Sequence, residues 1–381
     1  MKVYNGQGEA VDITAQVDTF DIPIITGVCP HVYITCNTDL PDLGSSNVKG
    51  AITFVDGKTK FSLYVKMKAQ GDQSLNYNQK QINATLYKDE GCTIKQKVRF
   101  NDWMPLSKFH IKSHPQDTLQ CRNAVVASMM QKLMGTRLPN GAWGFIKAFP
   151  VIVHWNDYVA GCYCWTVPQD GKIFNFSDFA ELDCTNLAYR FSGEYRGDED
   201  ANADMIAVKD AIFAIVNDTE NLTKSIIEEH FDVTSILQMI CAVEWFAMAD
   251  CVPDNSLMVT WDGEKWYTLP YDFDWSLRAD NRKLINDTAN YLPITFLRKC
   301  ELLYSTEIKS VYANMRKNGM DVDNAMHNLT EFLRHWNYQD RLDEFERWQD
   351  LPSHVAEDLS AVRTAVTNRC AYVDSIYEYT E

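Results

Sequence analysis

Long apolar runs are missing from this chain. No stretch approaches the roughly 20 consecutive apolar residues that a membrane-spanning helix needs, and the opening MKVYNGQGEAVDIT has neither the basic nor the apolar region of a secretory leader. Basic residues are in deficit: 36 Lys and Arg stand against 52 Asp and Glu, a formal charge of −16. A nucleic-acid binder needs a basic face to neutralise phosphates, so that class is excluded. The same charge repels nucleotide, so a nucleotide site here requires a divalent metal and a local cluster of Lys and Arg. Metal-finger spacing is absent too. The eleven cysteines (29, 36, 92, 121, 162, 164, 184, 241, 251, 300 and 370) contain no C-x-x-C, and no His stands at finger spacing from a Cys pair. Odd in number and scattered, they predict free thiols in a reducing compartment. A product of the cell interior, or part of an assembly built there, is expected, with no membrane partner.

What is present suffices for a folded globule. The 381 residues, 46% apolar and 12% aromatic, can bury a core as one large domain or two intimately packed lobes. From His31 the pattern is β: HVYITC, then GAITFVDGKTKFSLYVKMKA, with an Asp-Gly hairpin signal between two alternating runs. HPQDTLQCRNAVVASMMQKLMG opens a helix, with Asp117 or Thr118 as N-cap and Ala124, Val125, Met129 and Leu133 on its apolar face. AFPVIVHWNDYVAGCYCWTVP predicts a hairpin turning at Asn156-Asp157. Residues 168–205 are polar and irregular, and from about 203 helices dominate to the end. The order predicts an α+β plan: an arm or edge strand over 1–28, a β-rich lobe over 29–167 and a mainly helical lobe over 168–381.

Chemistry concentrates in residues 235–280. An apolar helix-like run ends in Asp250, a short loop follows and Asn255 closes it; a strand-like WYTLP then delivers Asp272 and Asp274 in YDFDWS. An acid, a carboxamide five residues on and an acidic pair after a hairpin form a phosphoryl-transfer layout. One acid orients a hydroxyl, while the amide oxygen and the later acid hold Mg²⁺ on a triphosphate. Protein kinases use the same D-x4-N spacing ahead of a metal-binding Asp, although H-R-D, D-F-G and A-P-E are absent here. An Asp at a helix C-terminus is electrostatically poor, which favours a functional Asp250. On a strand, Asp272 and Asp274 would face the same way.

Four stretches, in order, resemble the CotH-type kinases, atypical protein kinases named for a spore-coat protein and also encoded by bacteriophages. QGDQSLNYNQKQINATL resembles the family's Gly- and Ser-bearing turn before a Lys-bearing strand, with Lys80 where the family has paired lysines after a proline. FHIKSHPQDTLQCRNAVV and VIVHWNDYVAGCYCWTV are similar to its Asp…Arg-Asn helix start and its hairpin, with Val167 where a Glu is often found. MADCVPDNSLMVTWDGEKWYTLPYDFDWS resembles its Asp, Asn and Asp-x-Asp signature, with Tyr271 for the usual Trp, and a later FERW and NRCAYVDSIY resemble its end.

The resemblance implies a two-lobed atypical kinase-like fold whose β-rich lobe covers the nucleotide. It also implies phosphorylation of Ser or Thr on a partner protein, with ATP and Mg²⁺ (or Mn²⁺) as cofactors. Asp250 is the catalytic acid; Asn255, Asp272 and Asp274 are metal ligands. Lys80, Ser74, Gly71, Arg122 and Trp275 are nucleotide contacts, Trp275 as a pocket wall, although Arg122 serves equally well as a structural pin. The alternative is a catalytically weak or inactive kinase-fold structural or interaction protein, such as a phage virion component binding other particle proteins. The expected location is the host cytoplasm, or a virion.

Overall fold

The computed structural model describes residues 2–4, 10–12, 18–22, 29–57, 59–71, 73–168, 173–174, 187–190, 203–251, 255–280, 282–286, 293–349, 351–352 and 358–380. The chain forms two compact units that interleave along the sequence. The first takes residues 1–124, 147–168 and 329–356; the second takes 125–146, 169–328 and 357–381. Stretches 125–146 and 329–356 therefore cross the position 167/168 at which a single boundary was expected.

The first unit is built on strands Lys2–Tyr4 (β1), Ala10–Asp12 (β2), Thr19–Ile22 (β3), His31–Cys36 (β4), Val48–Asp56 (β5) and Thr59–Gln70 (β6). It continues with Gln81–Tyr87 (β7), Lys97–Phe100 (β8), Lys108–Lys112 (β9), Ala148–Trp155 (β10) and Tyr158–Thr166 (β11). The hairpins expected from Asp-Gly and Asn-Asp both form, with Asp56 opposite Thr59 and Trp155 opposite Tyr158. Gly57 and Asn156 supply the positive φ that such tight turns require.

Seven strands close on themselves. β6 pairs with β5 along one edge and with β7 along the other, and the circuit returns through β9, β11, β10 and β4. Closure removes exposed strand edges, and alternate residues fill the inside. Phe54, Phe100, Phe109 and Trp165 form its aromatic centre, with ring centroids 5.1–5.6 Å apart for the pairs Phe109–Trp165, Phe54–Phe100 and Phe100–Trp165. A closed seven-stranded sheet was not anticipated; the alternation in each strand is the same whether a sheet is open or closed.

One irregularity in this sheet organises its surroundings. In the β10–β11 ladder Val153 faces Gly161 and His154 faces Val159, so Ala160 is an extra, bulged residue. The Ala160 carbonyl accepts from Trp348 Nε1 (2.8 Å) and Gln79 Nε2 (3.2 Å), and the Cys162 amide donates to Glu344 Oε1 (3.1 Å). Glu344 and Trp348 come from the helix Tyr338–Arg347 and the residue after it, which explains why a segment so late in the chain belongs to this unit.

The second unit holds most of helix α1 (Arg122–Leu133), a three-stranded sheet and a helical array. The sheet comprises Leu187–Arg190 (β12), Ser256–Thr260 (β13) and Trp266–Pro270 (β14), with β13 in the middle. The helices are Ala203–Asn217 (α2), Lys224–His230 (α3), Val233–Trp245 (α4), Ile294–Leu303 (α5), Glu307–Lys317 (α6), the first part of Val322–Leu333 (α7) and Leu359–Tyr377 (α9); the first unit's Tyr338–Arg347 is α8. α4 is central. Asp232 caps it by accepting from Ser235 N (2.7 Å), and every residue from Ser235 to Trp245 is buried, as a helix apolar on all sides must be. The described cysteines are all free.

Gly161 (φ +121°) is the position at which the bulge is most sensitive, because a Cβ there would lie 2.5 Å from Glu344 Oε1. Gly161→Ala is expected to lower unfolding free energy by about 1–3 kcal/mol in urea titration. An unchanged midpoint would contradict this account of the bulge.

Candidate functional site

The helix that leads to Asp250 ends earlier than the apolar run suggests. α4 stops at Trp245, and Ala247 takes a left-handed φ of +54°, which turns the chain out of the helix. Asp250 thus sits in an exposed turn, five residues past the helix, and the dipole argument does not apply to it. What fixes it is Asn255: the buried carboxamide donates through Nδ2 to Asp250 Oδ2 at 2.9 Å. The loop is further tied by the Cys251 thiol donating to the Asn255 carbonyl (2.8 Å) and the Ser256 hydroxyl donating to the Cys251 carbonyl (2.8 Å).

The β13–β14 register brings in the second pair of acids. Ser256 faces Pro270, and the next rung out is a bond from Tyr271 N to the Asn255 carbonyl (3.0 Å). Asn255 therefore stands opposite Tyr271, one residue before Asp272. A second backbone bond, Leu277 N to Phe246 O (2.7 Å), ties the turn after the acids to the end of α4. Asp250, Asn255 and Asp272 are gathered at one end of one ribbon. The electrostatics agree: burial pushes the Cys251 thiol up to about 12, and the Asp250 and Asp272 carboxylates both add to that rise.

Asp272 and Asp274 do not alternate on a strand as expected. β14 ends at Pro270, Asp272 has φ +57°, and Asp274 lies in a turn where Ser276 N and Oγ both donate to Phe273 O (3.1 and 2.6 Å). A shared direction for the two carboxylates therefore cannot be taken from strand periodicity. Trp275, expected as a pocket wall, is 42% exposed, with the Arg278 guanidinium 4.1 Å from its ring centroid.

Lys80, Ser74, Gly71 and Arg122 belong to the first unit. Lys80 Nζ donates to Leu75 O (2.6 Å), and burial holds its amine below the usual lysine range, opposed by Asp42. Ser74 Oγ donates to Gln70 O (3.0 Å) across a turn whose Gly71 (φ +102°) has no room for a Cβ beside Ser74. Arg122 is a structural pin rather than a nucleotide contact: its side chain is fully buried and ion-paired with Asp117, which also accepts from Arg122 N (2.8 Å) at the start of α1. Asp254, Gln169 and Asp170, which lie near Asn255 or Val167 in the sequence, are outside the described residues.

Two supporting residues were missed. Glu244, the lone acid inside apolar α4, accepts from Leu284 N and Ile285 N (3.0 and 2.8 Å) and from Arg369 Nη2 (2.6 Å). Arg369 of α9 in turn donates to the carbonyls of Asp280 and Arg282 (3.0 and 2.6 Å). This buried pair fastens the segment just after the acidic turn. The sequence signal was a single charge in an otherwise apolar helix.

A family model described as CotH kinase protein matches residues 168–351. Over that region the chain is similar to the CotH kinase family. It contains Asp250, Asn255, Asp272, Asp274 and Trp275, whereas Gly71, Ser74, Lys80 and Arg122 precede it. No curated protein matches the sequence.

The backbone at Asp272 makes a testable demand. Asp272→Gly is expected to be more stable than Asp272→Val by about 1–2 kcal/mol in denaturant titration, because both lack the carboxylate and only glycine takes the left-handed conformation freely. A Gly variant as unstable as the Val variant would contradict the left-handed assignment.

Proposed function

We propose that the chain is an ATP- and Mg²⁺-dependent (or Mn²⁺-dependent) phosphotransferase acting on Ser or Thr hydroxyls of a partner protein. The carrying observation is the rung between Asn255 and Tyr271, which gathers a carboxylate, a carboxamide and a second carboxylate at one end of a ribbon. Among the described residues no three His, Cys, Asp or Glu side chains form a metal cage. Mg²⁺ on a triphosphate does not need one: it takes one or two carboxylates and completes its octahedron with phosphate oxygens and water. The donor set fits that requirement. Asp272 is the principal ligand and Asp274 the second carboxylate. Asn255, with Nδ2 donating to Asp250, contributes its amide oxygen.

Bound metal would neutralise charge developing on the transferred phosphoryl group. The chain's own residues do the rest. Asp250, oriented by Asn255, accepts the hydrogen bond of the acceptor hydroxyl and takes its proton. Lys80 is assigned the α/β-phosphates on the strength of the resemblance, and the Gly71–Ser74 turn that lies near it in the sequence is assigned to the nucleotide on the same ground.

The second reading is a catalytically weak or inactive kinase-fold interaction protein, for instance a phage virion component that binds other particle proteins. Two observations favour it. Val167, fully buried, occupies the position of an expected acid, and the Lys80 ammonium bonds a backbone carbonyl and pairs with no carboxylate among the described residues.

Thermal unfolding with and without Mg-ATP separates the two. Ligand at a hundred times its dissociation constant adds about 2.7 kcal/mol; a metal-dependent shift in wild type that is lost in Asp272→Ala is expected. With a substrate in hand, Asp272→Ala should reduce the rate by several orders of magnitude. A residual rate within tenfold of wild type would overturn the metal assignment, and no shift at millimolar Mg-ATP would make the second reading the better one.

A further inference from the structure

Glu344 is fully buried in the first unit, and among the described residues no cation is bonded to it. One of its oxygens is crowded with donors. Oε1 accepts from Gln79 Nε2, from Gln120 Nε2 (3.0 Å) and from the Cys162 amide (3.1 Å). The other is bare: Oε2 is buried without a hydrogen-bond partner, and so are the Oε1 atoms of both Gln79 and Gln120. Three side chains that meet at one point thus carry three buried acceptor oxygens, while the amide hydrogens of both glutamines are already given to Glu344 Oε1, Ala160 O and Ser113 O. A carboxylate would add a full charge without a counter-ion to that deficit, which is unfavourable. A carboxylic acid instead supplies an O–H donor where donors are lacking.

The cluster grips the segment that carries Lys80. Gln79 donates to Glu344 and to the Ala160 carbonyl, and its own carbonyl accepts from Ser113 Oγ (3.3 Å). The next residue is Lys80, whose carbonyl accepts from Tyr163 Oη (3.3 Å) and whose ammonium is drawn back onto Leu75 O. We propose that Glu344 is a positioning residue: held as a neutral acid, it clamps Gln79 and through it fixes the direction of the Lys80 ammonium. Use of the clamp to regulate nucleotide binding rests on the phosphate role given to Lys80 above; the clamp itself does not.

The charges around Glu344 leave this state in place. On its own helix Arg341 and Asp340 oppose each other, and the Arg341 guanidinium is turned toward the Trp336 and Phe345 rings. Beside Gln120 the Asp117 and Arg122 charges are paired together, and from β11 come only the Cys162 thiol and the Tyr163 phenol, both raised by burial and so neutral. Lys80 is bonded to Leu75 O instead. Burial pushes the Glu344 carboxyl up from 4.5 to about 7, opposed by its two glutamine donors, Arg341 and the Cys162 amide. A carboxyl raised on folding stabilises the fold fully below its unfolded value, and that contribution is lost as pH rises through the folded one. Once ionised, the carboxylate has no O–H to give to the two glutamine oxygens, so the clamp is tight at pH 6 and loosened at pH 8.

The test uses the full chain and reads the acylation rate of Lys80 by an amine-reactive ester, with peptide mass spectrometry, from pH 6 to 8. The ratio of wild type to Glu344→Gln cancels the intrinsic pH dependence of the amine. The expected ratio is near one at pH 6 and at least threefold at pH 8, because the amide keeps the clamp closed throughout. A flat ratio overturns the proposal. Should Glu344→Gln not fold, Gln79→Ala carries the same test: its Lys80 should react faster than wild type at pH 6 and equally at pH 8, and equal rates at both overturn the proposal. Mg-ATP thermal shifts measured in parallel keep the two readings apart. A labelling step without any nucleotide shift sustains the clamp and removes the kinase reading; a nucleotide shift with flat labelling does the reverse.

Discussion

The hydrogen bond from the Tyr271 amide to the Asn255 carbonyl carries more of the candidate site than any side chain does. It continues the β13–β14 ladder by one rung past Ser256 and Pro270, just where both strands leave regular structure. Asn255 is held with its carboxamide on Asp250, and the chain beyond Tyr271 must turn at once, through the left-handed Asp272. The Phe246–Leu277 bond closes the other side of the frame. Beneath it the Glu244–Arg369 pair anchors residues 280–285. Burial pushes the Glu244 carboxyl up, while its backbone donors and Arg369 pull it down, so the pair stands only as a complete network. A rigid frame under a turn in an uncommon conformation is the arrangement expected where geometry serves chemistry rather than stability.

The first unit has a comparable dependence on one bulge. Ala160 interrupts the β10–β11 ladder, and the groups exposed there are taken up by Trp348, Gln79 and, through the neighbouring Cys162 amide, Glu344. A surface defect in a closed sheet thereby becomes the seat of a buried polar cluster and the fixed point for the residues that enter β7. Such clusters specify one packing when every member is satisfied. The open acceptors in this one are why its protonation matters.

Much of this was legible in the sequence, and the failures have identifiable causes. Both hairpins followed from Asp56-Gly57 and Asn156-Asp157, and the α+β order followed from the change of period near residue 203. Asp250, Asn255 and Asp272 were singled out by spacing, and the backbone puts them at one end of one ribbon. The end of α4 was misplaced because Ala247, a strong helix former, takes the left-handed position of a Schellman cap, with Met248 N bonded to Val243 O (3.0 Å) and Ala247 N to Glu244 O (3.3 Å). The pairing of Asp272 with Asp274 was argued from a strand that stops two residues too soon. Closure of the sheet depends on the second edge of β6 and on β7 meeting β9, contacts that leave no local trace. Glu344 was invisible for a similar reason: in DEFERW it looks like one charge among several, and the strand with the Ala160 bulge against which it is buried lies far earlier in the chain.

The central claim is that Asn255 and Asp272 hold one metal ion on a nucleotide. Mn²⁺ titration with a non-hydrolysable ATP analogue, followed by the paramagnetic resonance of the free ion, tests it directly. Wild type should bind Mn²⁺ more tightly with nucleotide present than the nucleotide alone does, and Asn255→Leu and Asp272→Gly should each weaken that binding by at least tenfold. Mn²⁺ binding that is identical in wild type and both variants would contradict the account.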